Sequence, residues 1–227
     1  MTNASRSGST LTAVPAGSGS VPGTRRLLVG GLAAGPLFAV VVAGQARLRD
    51  GFDLRRHPLS LLALGSWGWI QTLNFLLTGL LLIGLAVGLH RVLSPGRGTT
   101  WAPILLGAHG VGLLIAGTFP SNPALGFPPG TPDGAGGPLS WHAVLHGVGF
   151  FVAFTCLAAV CVVLVRRFLG AHRPGWAAYS VATAVVALGL AAWPGLDGAS
   201  IRYAFAGVVA WAWTTALAAR LLITDLP

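Results

Sequence analysis

GTFPSNPALGFPPGTPDGAGGPLSWHAVLHG, Gly117 to Gly147, decides how the rest of the chain is read. It is the longest turn-rich interruption in an otherwise apolar sequence. Its Asn-Pro, Pro-Gly and Gly-Gly steps are strong breakers of regular structure. Apolar runs flank it, each near the roughly 20 residues needed to cross about 30 Å of hydrocarbon. The stretch therefore reads as a long link between two membrane-spanning helices. It runs straight into His142 and His146, whose spacing puts them on one helix face.

Composition points the same way. Hydrophobic residues make up 54% of the 227 and charged residues 8%, against roughly 25% charged in a soluble domain. Mean hydropathy is +0.75. So little charge leaves part of the surface to be covered by lipid. The basic residues are all Arg and the acidic ones all Asp, with a net charge of +9. A nucleic-acid partner is excluded, because the arginines stand singly or in pairs at the ends of apolar runs, where membrane topology places them. Cys156 and Cys161 lie within one apolar run and read as small packing residues, not a disulfide or zinc framework.

Outward from the central link, the expected fold is all-α: a polytopic bundle of six transmembrane helices with a disordered N-terminal tail over residues 1–24. The helices fall at about 27–45, 70–89, 101–119, 141–165, 177–193 and 203–223. The tail is rich in Ser, Thr, Gly and Ala and shows no apolar period. Arg25-Arg26 before an apolar run resembles a signal peptide, but five further runs favour an uncleaved first helix. Gly35-Pro36 lies inside it as a candidate kink. Between the first two helices, Pro58 can open a short helix at the interface, and Trp67 and Trp69 suit the headgroup level.

The arginines also orient the bundle. With the N-terminus inside, Arg6, Arg25, Arg26, Arg91, Arg97, Arg166, Arg167, Arg173 and Arg220 are inside, and Arg47, Arg49, Arg55, Arg56 and Arg202 are outside. That majority favours both termini in the cytoplasm. Asp50, Asp53, Asp133, Asp197 and the Gly117–Gly147 link then face outward.

The run HPLSLLALGSWGWIQTLNFLLTGLLLIGLAVGL, His57 to Leu89, and AGTFPSNP, Ala116 to Pro123, with the histidines that follow, resemble a bacterial membrane family. That family is known only as domain of unknown function 998 (DUF998). The resemblance covers roughly Leu28 to Leu222. It implies a six-helix protein of the bacterial cytoplasmic membrane and no established activity. Members often carry an acidic residue in the F-P-x-x-P turn. This chain has Asn122 there, which argues against a carboxylate cation site in that turn.

Several residues are candidates for chemistry, each beside a plainer role. His109 sits near the middle of helix 3, where an ionisable group is expensive, so it faces other helices or a cavity. His142 and His146 have metal-ligand spacing, but no Glu adjoins them. A third ligand would come from His57, Asp53, Asp133 or His109. The metal reading takes His142, His146 and His57 around zinc; the plain reading is two interfacial histidines beside Trp141. Bis-histidine haem is disfavoured, since His109 lies about 15 Å and His146 about 8 Å below the outer helix ends.

Asp53, Arg55, Arg56, His57 and Ser60 form the densest polar group, either a site for a headgroup or small anion or a solvated loop with a helix start. Gln71 and Asn74 face the bundle as interhelical glue or as a substrate site. Trp211 and Trp213 sit in mid-helix as packing or cavity lining. The small-x-x-x-small pairs Gly31/Gly35 and Gly84/Gly88 permit close helix contact, within the bundle or in a homo-oligomer. No phosphate-binding loop, dinucleotide fingerprint or nucleophile elbow is present.

Two functional readings follow. One is a non-enzymatic multi-pass protein: a sensor, an accessory subunit or a small permease with its polar cluster at the outer face. The other is a metal-dependent membrane hydrolase at the outer leaflet, with His57, His142 and His146 as ligands, Asp53 or Asp133 orienting water, and Ser60 assisting.

Overall fold

The computed structural model describes residues 22–93, 95–134, 136–193 and 198–223. Six long helices run through them: α1 Pro22–Leu48, α2 Gly68–Val92, α3 Trp101–Thr118, α4 Trp141–Gly170, α5 Pro174–Ala192 and α6 Ala199–Ile223. Each is long and apolar enough to cross a membrane, and no strand occurs among the described residues. The chain is the all-α polytopic bundle its apolar runs imply.

Boundaries differ from expectation where polar residues continue a helix. Residues 1–21 of the expected tail lie outside the described residues, but Pro22–Thr24 belongs to α1. Proline suits a first helical turn, where its missing N–H has no acceptor to lose. Pro36 lies inside α1 without ending it. α4 runs on to Gly170 and takes Arg166 and Arg167 into its last turns, where cations complement the exposed carbonyls. α6 starts at Ala199, ahead of the expected 203. A 3₁₀ turn, Leu59–Ala63, follows Pro58 as the sequence suggested.

The helices form a closed ring. Each packs on its neighbour in sequence, and α6 returns to pack on α1. Short links make sequence neighbours antiparallel, and contacts among the links agree. At one end, the α1–α2 link meets the α3–α4 link and the start of α6 through His57–Leu125 and Ser200–Arg56 hydrogen bonds. At the other, Arg167 donates to the Arg97 carbonyl and Arg220 stands over the Trp176 ring at 5.1 Å. These are called below the link end and the basic end.

Lipid-facing positions such as Val40, Leu73, Leu80, Ile104, Val185 and Phe205 are exposed. Trp67, Trp69, Trp141 and Trp193 are exposed at the link end and Trp101 at the basic end, the levels at which tryptophan favours the membrane interface. Trp213 is fully buried and donates to the Ser180 hydroxyl between α5 and α6. Cys156 and Cys161 are free thiols.

Glycine sets the closest contacts. A Cβ on Gly112 would stand 2.6 Å from the Ala153 nitrogen, and one on Gly149 2.6 Å from the Ala116 nitrogen. Only glycine permits α3 and α4 to approach so closely. Gly31 lies against Leu85, Gly35 against Trp211, Gly84 against Leu27 and Gly88 against Leu28. Both small-x-x-x-small pairs thus lie at contacts between α1, α2 and α6.

The ring interior changes character along its length. On α2, Gln71, Asn74 and Thr78 are buried and lie on the same stripe as Leu82, Leu85 and Leu89, also buried. The stripe is polar toward the link end and apolar toward the basic end. Leu106, Leu157, Leu164, Phe168 and Leu217 pack the basic-end half, where Ser180 and Thr214 are also buried.

Candidate functional site

Two polar assemblies stand out: a cap over the link end and a buried row within the ring. The cap is built around His57, which is 3% exposed. The Asp53 backbone N–H donates to its Nδ1 at 2.8 Å, so Nε2 carries the proton and faces the Leu125 carbonyl at 2.9 Å. Leu125 holds φ +61°, a left-handed conformation leucine rarely adopts. That cost, about 1–3 kcal/mol, persists only where surroundings over-determine it. The His57 bond does part of this, and the Leu125 N–H donates to the Gly134 carbonyl at 2.7 Å.

Phe127 is fully buried, edges onto Phe52 at 5.4 Å and lies tilted against the His57 ring at 5.5 Å. The Arg49 guanidinium lies 5.3 Å from its ring and donates to the Leu62 and Leu64 carbonyls at 3.0 and 2.6 Å. Burial lowers the Arg49 pKa from its ordinary value, yet a guanidinium stays charged at any ordinary pH. The Ser200 hydroxyl donates to the Arg56 carbonyl at 2.6 Å, which brings α6 into the cap. Asp53 accepts from the Arg55 N–H at 2.9 Å in a local turn. Arg56 pairs with Asp133 at 2.5 Å, both well exposed. Ser60 sits half-buried in the 3₁₀ turn.

Asn122 closes the base of the long link. It donates to the Pro138 carbonyl at 2.9 Å and accepts from the Ser140 hydroxyl at 2.6 Å. Ser140 in turn caps α4 by accepting from the Ala143 N–H. The uncharged residue in the F-P-x-x-P turn is thus a structural tie.

The histidines do not converge. His57 is held in the cap. His142 stacks on Trp141, ring centroids 3.6 Å apart. His146 turns Nδ1 toward the Ala116 and Phe119 carbonyls at 2.8 and 3.0 Å. Those carbonyls lie at the C-terminal end of α3, some 10 Å along the helix from His109. Among the described residues, no three His, Cys, Asp or Glu side chains are grouped to hold a metal ion.

The buried row is different. A backbone carbonyl only accepts, so the Phe38 carbonyl, 3.3 Å away, fixes which end of the Asn74 amide is nitrogen. That nitrogen lies 3.3 Å from Gln71 Oε1, which also accepts from Gln45 Nε2 at 2.8 Å. With every amide so fixed, Gln45 Oε1, Asn74 Oδ1 and Gln71 Nε2 are buried without a partner. The Ala153 carbonyl, 2.8 Å from His109 Nδ1, fixes the His109 proton there in the same way. His109 Nε2 is left as a buried lone pair with no partner, as are the hydroxyls of Thr78 and Thr215.

These groups share the link-end half of the ring. A Cβ on Gly79 would stand 2.8 Å from the Gly110 carbonyl, which sets Thr78 and His109 at one depth. The His109 ring is 6.0 Å from Trp211, and Trp211 is 5.2 Å from Phe38. Leaving such groups unpaired costs about 1–3 kcal/mol each. Gln71, Asn74 and His109 were visible in the sequence as candidates; Gln45 and Thr78 were not. Gln45 ends an apolar run beside Arg47, where an amide passes for an interfacial residue. Thr78 is a residue that mid-helix packing accepts without comment.

A model of the family described as "Protein of unknown function (DUF998)" matches residues 32–220. The chain belongs to the DUF998 family. The match touches all six helices, both the cap and the buried row. No curated protein and no solved structure matches the chain. DUF998 membership carries a multi-pass membrane protein of unknown role, and function must be argued from the site.

Proposed function

We propose that this DUF998 protein is a small permease whose path enters at the link end and reaches His109. One observation carries the reading: polar side chains on α1, α2, α3 and α6 keep unpaired atoms buried inside a closed ring. Interhelical glue would pair these atoms with one another. A sensor or accessory subunit makes no demand for them. An ionisable group such as His109 that faces a bundle interior within the membrane is the usual mark of a substrate or ion pathway. The cap at one end and the leucine layer at the other are the two barriers such a path needs in its closed state.

The arginine distribution supports a link end that faces outward from the bacterial cytoplasmic membrane. Among the described residues, Arg25, Arg26, Arg91, Arg97, Arg166, Arg167, Arg173 and Arg220 belong to the basic end. Arg47, Arg49, Arg55, Arg56 and Arg202 belong to the link end. Both termini are then cytoplasmic. The hydrolase reading has less support, because its three histidines are separately engaged.

Reconstituted vesicles test the permease. Osmotic light scattering follows entry of water, formamide, urea, glycerol, ammonium and sodium salts. Protein-dependent flux of at least one solute, lowered several-fold by Thr78→Val with His109→Phe, is expected. Flux equal to that of protein-free vesicles for the whole series contradicts the reading.

A further inference from the structure

The ring interior also carries information about what occupies it. We propose that the link-end half of the ring seats small neutral molecules that both donate and accept hydrogen bonds, along the row from the Gln71 amide to the His109 imidazole. Their physiological use rests on the permease reading; the ligand class rests on the side chains alone.

The unpaired atoms set the requirement. Gln45 Oε1, Asn74 Oδ1 and His109 Nε2 accept, Gln71 Nε2 donates, and the Thr78 hydroxyl does either. Gln71 and Thr78 are wholly buried, His109 is 3% exposed and Asn74 4%. The row spans about 10 Å from Gln71 to Thr78, so its occupants must together donate to several acceptors and accept from at least one amide N–H. An anion fails, because it would face three acceptors with only the Gln71 amide N–H and the Thr78 hydroxyl to receive it. A metal cation fails, because no carboxylate or thiolate is grouped with the imidazole among the described residues.

Charge counts against any ion. Within two turns of Thr78 and of His109 along their own helices, no Asp, Glu, Lys or Arg occurs. An ion at that depth would leave water without a counter-charge to replace it. Water, formamide and urea meet the requirement: each donates and accepts, and none carries charge. The rings of Phe38 and Trp211, 5.2 Å apart, adjoin the row as apolar walls that restrict it to small occupants. The leucines that continue the α2 stripe keep it from extending to the basic end.

The test is solid-state NMR on ¹⁵N-histidine-labelled protein in lipid bilayers. The His109 signal is assigned by its loss in His109→Gln. Water-edited transfer should reach His109 Nε2, and added ¹³C-urea should give a cross peak to the same nitrogen. Thr78→Val should weaken both several-fold, with the thermal transition of the protein retained. If His109→Gln does not fold, Thr78→Val alone carries the comparison, read on the one histidine signal it shifts. A His109 Nε2 with neither water nor urea contact overturns the proposal. Contact without vesicle flux sustains the ligand class and removes the permease reading. Ion-selective flux with a dry His109 does the reverse.

Discussion

His57 ties the α1–α2 link to the α3–α4 link, and that makes it the most consequential single residue of the cap. His57→Ala removes the bond to the Leu125 carbonyl and leaves a left-handed leucine without its support. A loss of about 2 kcal/mol or more is expected in chemical unfolding of detergent-solubilised protein. Arg56→Ala, which breaks an ion pair open to solvent, should cost less than about 1 kcal/mol in the same assay. Equal losses would mean that the cap is held by surface charge instead. Asn74→Leu separates glue from site: interhelical hydrogen bonds in membranes average about 0.6 kcal/mol, so a change below about 1 kcal/mol is expected, together with loss of vesicle flux.

At this scale the sequence was readable in part. Gln71, Asn74 and His109 stood out because polar groups within apolar runs must face inward. The role of His57 was not readable, since its partners are two backbone atoms, one of them supplied by a link far away in sequence. Phe127 was invisible for the same reason: a lone aromatic in a Pro-Gly stretch says nothing about burial.

Among the elements, α3 is the tightest. It meets α2 at Gly79/Gly110 and α4 at Gly112/Gly149 with no room for a Cβ. Gly112→Leu should destabilise the protein by about 1–3 kcal/mol or more through overpacking. Gly137→Leu, at a glycine with open space around it, should be near neutral. A similar loss at both would place the effect in the added apolar bulk itself, not in α3–α4 contact. The helices themselves were legible because about 30 Å of hydrocarbon enforces long apolar runs. Their ends were less so, because Arg166, Arg167 and the residues before Tyr203 remain helical after the apolar run stops. A backbone beyond the hydrocarbon gains as much from its own hydrogen bonds as from water.

For the whole molecule, ring closure by α6 on α1 was not readable, since no short link joins them. The orientation rests on an arginine majority. A phosphatase or fluorescent reporter fused after Pro227 should report a cytoplasmic C-terminus; activity outside would invert the ring and place the cap inside.

The most direct measurement is thiol labelling of Thr78→Cys in a Cys156→Ala/Cys161→Ala background, in sealed cells with a membrane-impermeant maleimide. Thr78 lies wholly buried at the depth of His109, so labelling there requires an aqueous route from the link end. Labelling from outside that speeds up when Phe127→Ala loosens the cap is the expected result. No labelling with or without the loosened cap, while the exposed control Leu139→Cys reacts fully, would contradict a working polar interior.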